Sequence, residues 1–170
     1  WLAPRSRYAL ALRWWAAGAV LASGGALLNV SQGLLPAELS LMLGNPLMAL
    51  GLGLLIDGTH RLAGRPPRPL WWLLPALCLV ITSYWWGVKF PNLPSRVMLF
   101  SPIIVWLMGC LLAALWPLRR RGIGVGLAFV GIAALLLAVL MLVRALWAWQ
   151  GHIRPVYTLG TPFNMVVLVI

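Results

Sequence analysis

Only two acidic residues, Glu38 and Asp57, stand in a chain of 170 that carries 13 Lys and Arg. Acid and base work by paired carboxylates is excluded unless those two meet, and the placement of the arginines sets them on opposite sides of a membrane. Cysteine is equally scarce. Cys78 and Cys110 each lie inside an apolar run with no partner at metal-ligand spacing, which argues against a zinc site and a structural disulfide. Both read as small, buried apolar residues. His60 and His152 are also on opposite sides and cannot share a metal or a haem. Glycine-rich phosphate loops, HExxH, CxxC and Ser-His-Asp sets are absent, as are internal repeats and low-complexity tracts. No catalytic residue and no metal ligand is assigned.

What is abundant is apolar. The chain is 62% hydrophobic and 9% charged, with a mean hydropathy of +0.95, outside the range of ordinary soluble domains. The net charge of +11 does not point to nucleic acid, because the basic residues sit at the ends of apolar runs, where they set topology. The expected fold is an all-α integral membrane helical bundle, with five full spans plus the start of a sixth.

The stretch Leu39 to Leu62 reads as the centre of that bundle. It is long enough to cross about 30 Å of hydrocarbon at about 1.5 Å per residue. Asn45 lies inside it, Pro46 removes a backbone donor, Gly44, Gly51 and Gly53 leave backbone uncovered, and Asp57, His60 and Arg61 close one end. In lipid, Asn45 and the carbonyl freed by Pro46 should face other helices. The other spans run from Leu12 to Val30, Leu70 to Val88, Val97 to Trp116 and Ile123 to Trp149, with the last beginning at Phe163. Gly18, Ala22, Gly24, Gly25 and Ala26 suit the first to close packing. Trp71 and Trp72, and Tyr84, Trp85 and Trp86, read as interfacial belts, and Pro102 as lying near a helix start. Asp57 and Arg61 form an i, i+4 pair.

Arginine bias sets the orientation. One side holds Arg5, Arg7, Arg13, Arg61, Arg65, Arg68, Arg119, Arg120 and Arg121; the other has Lys89, Arg96, Arg144 and Arg154. The richer side, with the N-terminus, is expected in the cytoplasm of a bacterial inner membrane. The chain, residues 1–170, reads as one transmembrane domain of a longer protein, with an earlier span and a cytoplasmic effector outside it.

The order of motifs carries a resemblance. LPAELSLMLGNPLMALGLGLLIDGTHRLAGRPP, then YWWGVKFPNLPSRVMLFS, a basic turn, a long span ending in Arg and Trp, and TPFN together resemble the N-terminal sensor regions of bacterial diguanylate cyclases. The likeness runs from Trp14 onward. In that family about seven helices precede a cytoplasmic GGDEF domain that makes cyclic di-GMP. Pro46 stands where the family usually has a small helix former. The resemblance implies a sensory module controlling a GGDEF effector, with Mg and GTP as cofactors of that further domain, none in this segment, and a homodimer formed through it.

Polar groups gather on the arginine-poor side: Asn29, Gln32, Glu38, Asn45, Lys89, Asn92, Arg96, Arg144, Gln150, His152, Arg154, Tyr157 and Asn164. An Arg within a span marks a functional candidate. The expected site is an outward-opening pocket in which Arg96 and Arg144 bind a small anionic or amphiphilic ligand and Asn45 donates a hydrogen bond. Tyr84, Trp85, Trp147 and Trp149 would form its apolar walls. Two plainer readings stay open: Arg144 snorkels to the interface beside Trp147, and Asn45 only ties helices together. The alternative function is a small transporter or a structural subunit of a membrane complex; an enzyme acting on lipid comes third. Beyond ligand and effector, the expected partner is the lipid bilayer.

Overall fold

The computed structural model describes residues 4–31, 34–90, 92–119 and 125–151. Five α-helices account for nearly all of them: α1 (Pro4–Val30), α2 (Ala37–Leu62), α3 (Leu70–Ser83), α4 (Leu93–Arg119) and α5 (Val125–Trp149). A wider π turn, Tyr84–Lys89, extends α3. Each helical stretch, the π turn counted with α3, is long and apolar enough to cross a membrane, so the chain is an all-α, multi-pass bundle. The proposed sixth span from Phe163, together with His152, Arg154, Tyr157, Asn164, Gln32 and the turn at Arg120 and Arg121, lies outside the described residues.

The centre is α2. Half of its span is buried, against 17% for α1 and α5. Helix α1 packs along α2, α5 packs along α4, and α2, α3 and α4 meet one another between these two hairpins. The main core follows helical spacing: Ala49 and Ile56 on α2 with Ala63 just past its end, Trp72, Ala76 and Leu79 on α3, and Ile104, Leu107, Met108, Leu111, Leu115 and Leu118 on α4. The outer face of α5, including Phe129, Leu136 and Val139, is exposed, as expected of a surface turned to lipid.

Helices α1 and α2 touch backbone to backbone. A Cβ on Gly18 would fall 2.7 Å from Gly51 O, and one on Gly25 would fall 2.5 Å from Gly44 O. The matching order, Gly18 with Gly51 and Gly25 with Gly44, makes the pair antiparallel. Small residues matter here because apolar burial gives no drive between helices in lipid, where close van der Waals contact must serve instead. Gly24, which faces open space, is not part of this contact.

Several boundaries differ from the sequence expectation. α1 begins at Pro4 rather than near Leu12, and α4 begins at Leu93, so Pro102 is well inside its helix. The earlier start of α4 is fixed by Asn92, whose Oδ1 accepts the Ser95 backbone N–H at 3.1 Å, an N-cap. The first aromatic pair divides: Trp71 is exposed, but Trp72 is buried against Gly53, where a Cβ would strike its ring. Asp57 is not an exposed partner of Arg61. It is 3% exposed and accepts the Arg68 backbone N–H at 3.3 Å, while the Arg61 guanidinium sits 4.7 Å from the Trp14 ring centroid. Cys78 is exposed, and Cys110 is half-buried against the margin of the core.

Pro75, inside α3, cannot donate to the carbonyl of Trp71 four residues earlier. The Trp106 indole N–H of α4 fills that vacancy at 3.2 Å, and its ring stacks on Trp71 at 5.9 Å. A proline in one helix is thereby matched by a tryptophan in the next.

Two substitutions test this frame by thermal unfolding in detergent. Gly51→Ala forces the α1/α2 backbones apart and should cost about 2 kcal/mol, whereas Gly24→Ala should change stability by less than about 0.5 kcal/mol. Trp106→Phe keeps an aromatic ring, though a smaller one, and removes the donor to the Trp71 carbonyl; it is expected to cost about 1 kcal/mol or more.

Candidate functional site

A cavity of about 440 Å3 lies between the two hairpins, lined by residues of α1, α2, α4 and α5. Each helix contributes one stripe at helical spacing: Ala22, Ala26 and Asn29 from α1; Leu41, Asn45, Met48 and Leu52 from α2; Arg96, Phe100 and Ile104 from α4; Leu137, Met141 and Arg144 from α5. Helices α1 and α5 both face the cavity without packing on each other, so the two hairpins bound it from opposite sides.

The polar part is small and organised. Asn29 Nδ2 donates to Asn45 Oδ1 at 2.9 Å, and Asn45 Nδ2 donates to Ser83 Oγ at 3.4 Å. This chain of bonds joins α1, α2 and α3. It depends on Gly44, because a Cβ there would fall 2.7 Å from Asn29 Oδ1. Asn45 is 7% exposed and has both ends of its amide engaged, so it does tie helices together, while it also lines the cavity. The remaining polar lining consists of Ser23, Arg96 and Arg144; the rest is aliphatic, Met or Phe. Guanidinium groups in such a setting recognise carboxylate or phosphate by paired hydrogen bonds, and the apolar walls receive hydrocarbon.

Of the residues singled out in the sequence, Asn45, Arg96 and Arg144 line this cavity. Tyr84, Trp85 and Trp147 do not: they are 47, 43 and 57% exposed, and Trp149 is exposed too. Tyr84 and Trp85 follow Ser83 directly and stand roughly a quarter and a half turn around the helix from it, so with Ser83 turned to Asn45 both face away. Trp85 instead packs near Phe90, with Lys89 Nζ 4.7 Å from its ring centroid, which also takes Lys89 to the surface. On α5 the inward stripe passes from Arg144 to Ala148, which is buried with Leu93 and Val97, so Trp147 faces outward. Arg144 thus parts from Trp147, its companion in the snorkelling reading. Asn92 serves as a helix cap, and exposed Gln150 lies beyond α5.

Ser83, Met48, Phe100 and Met141 were not singled out by the sequence. Three of them stand one helical turn from a polar residue that was: Met48 from Asn45, Phe100 from Arg96 and Met141 from Arg144. Extending each anchor by three or four positions finds them. Ser83 had no such signal, since its partner is on another helix.

No family model, curated protein or solved structure matches the chain. The geometry of the cavity is therefore the ground for a functional reading.

The amide pair has a direct test. A double-mutant cycle between Asn29→Ala and Asn45→Ala, read by unfolding in detergent, should return a coupling of about 0.6 to 1.7 kcal/mol, the range of hydrogen bonds between membrane helices.

Proposed function

We propose that this chain is the sensor domain of a signalling protein, and that its cavity takes a small anionic or amphiphilic ligand whose binding controls a C-terminal cytoplasmic diguanylate cyclase. The observation that supports this reading is the convergence of Arg96 and Arg144 with the Asn29 and Asn45 amides in one otherwise apolar cavity. In this reading the protein sits in a bacterial inner membrane with its arginine-rich ends in the cytoplasm. The effector is a GGDEF domain that uses GTP and Mg and dimerises to make cyclic di-GMP.

Signalling of this kind needs a ligand that binds one arrangement of the helices better than another; equal affinity for both transmits nothing. The cavity is bounded by two hairpins with α3 packed against both, and a ligand held at once by the second N–H of the Asn45 amide on α2 and by Arg144 of α5 favours one separation of the hairpins over others. Shifting a population from 1:99 to 99:1 requires a differential affinity of about 5.5 kcal/mol, within reach of two charge-assisted contacts in a setting of low dielectric constant.

In the complete protein, Arg96→Ala and Arg144→Ala should each change cellular cyclic di-GMP output at least about tenfold, the loss of one charge-assisted contact, with membrane abundance unchanged. Unchanged output in both variants overturns the proposal.

A further inference from the structure

At the opposite end of the bundle a second concavity, of about 280 Å3, is formed by Leu10 of α1, Arg61 of α2 and the link residues Gly64, Arg65, Pro66 and Pro67. Its shape comes from local chemistry. Gly64 adopts φ +73°, a left-handed conformation that glycine takes without strain, and this ends α2 with two reverse bonds, Gly64 N to Arg61 O at 3.0 Å and Arg65 N to His60 O at 2.8 Å. Pro66 and Pro67 stiffen the link leading into α3, and the bond from Arg68 N to Asp57 Oδ1 ties that link back to α2.

The Arg61 side chain is held in place without a hydrogen bond at its Nε. The guanidinium lies over Trp14 at 4.7 Å, and Nε is shielded from solvent with no acceptor among the described residues. The ring holds the cation from one face without giving any of its N–H groups an acceptor. The chain has no spare carboxylate to complete it. Asp57 is engaged by the link backbone, and Glu38 is roughly 35 Å away along α2, at about 1.5 Å per residue. An anion entering the concavity meets the terminal guanidinium nitrogens of Arg61, not its shielded Nε. Beside the two arginines, Leu10 is 42% exposed, so the concavity is charged on one side and greasy on the other, as at the level of lipid headgroups.

We infer that Arg61 and Arg65 hold a phosphate-bearing anion in this concavity. Guanidinium pairs match phosphate oxygens by forked hydrogen bonds, stacking on Trp14 fixes one fork in advance, and basic pockets between membrane helices are suited to phospholipid headgroups. A membrane phospholipid and a free phosphate ester share this chemistry. The site is separate from the cavity between the hairpins and does not depend on its ligand.

The test uses the complete protein in phosphatidylcholine bilayers with and without phosphatidylglycerol, reading lipid retained in native mass spectrometry and the melting temperature. Phosphatidylglycerol should be retained and should raise Tm by about 4 °C. Arg61→Gln with Arg65→Gln should lower retention at least about tenfold, whereas Arg13→Gln with Arg68→Gln, which removes the same charge outside the concavity, should leave it unchanged. Arg65→Gln alone, at an exposed link position, should give a partial loss and serves if the double variant folds poorly. Soluble glycerol phosphate added to pure phosphatidylcholine identifies a free ester as the source if it gives the same stabilisation, and a lipid if it gives none. Equal loss in both double variants, or loss in neither, overturns the inference.

Discussion

The contact on which most else rests is the approach of α1 to α2 over Gly18, Gly25, Gly44 and Gly51. With hydrocarbon on all sides, two apolar helices gain little by leaving lipid for each other, so their separation is set by how closely their backbones fit. That separation decides what the ends of the helices can do. At one end Asn29 reaches over Gly44 to Asn45, and at the other Trp14 meets Arg61 and Trp15 packs on Gly58. Side chains at every one of these glycines would hold the hairpin open and separate both polar clusters at once.

A second constraint is the backbone accounting that lipid imposes. Prolines sit inside α2, α3 and α4, and each removes a donor in a medium that offers none in return. At Pro75 the replacement is visible: Trp106 supplies the N–H and stacks on the residue whose carbonyl it satisfies. The arrangement turns a local defect into a link between α3 and α4, which otherwise share mostly aliphatic contact. The same reasoning explains why the π turn is tolerated after Ser83. Its Phe90 N–H returns to Trp85 O at 2.9 Å, so the wider turn leaves its backbone paired.

How far the sequence foretold this depends on the kind of information each feature needs. Spans are recorded in hydropathy, and α2 was legible as the centre because its Asn and glycines are features that a helix facing lipid does not keep. Arg144 and Asn45 were legible for the same reason, since a polar group within a span must face inward, and Arg96 through its place among the polar groups of the arginine-poor side. The aromatic residues were not. Trp and Tyr are at home both at an interface and in a core, so composition could not separate Trp71, exposed, from Trp72, buried on Gly53; only the face of α3 decides it. Tyr84 and Trp85 were expected as walls of the pocket from residue type and nearness to the arginine-poor side, neither of which says which face of the helix they occupy. The fate of Asp57 was hidden because its partner is a backbone N–H eleven residues on, a relation fixed by the fold of the link rather than by side-chain type.

Charge economy connects the two ends. A bundle with two carboxylates cannot neutralise all of its arginines by internal ion pairs, and a guanidinium left uncompensated in a medium of low dielectric constant is strongly unfavourable. The arginines in excess of those two carboxylates must reach water, donate to a backbone or side-chain oxygen, lie against an aromatic ring, or meet an anion from outside. Arg61 and Arg68 show the third solution, over Trp14 and Trp71. A ring offers a guanidinium its face but satisfies none of its N–H groups, and so it holds the cation without completing it. A scarcity of acid in the sequence thus becomes, in the folded bundle, a standing preference for anions at the positions where arginine is held by apolar neighbours.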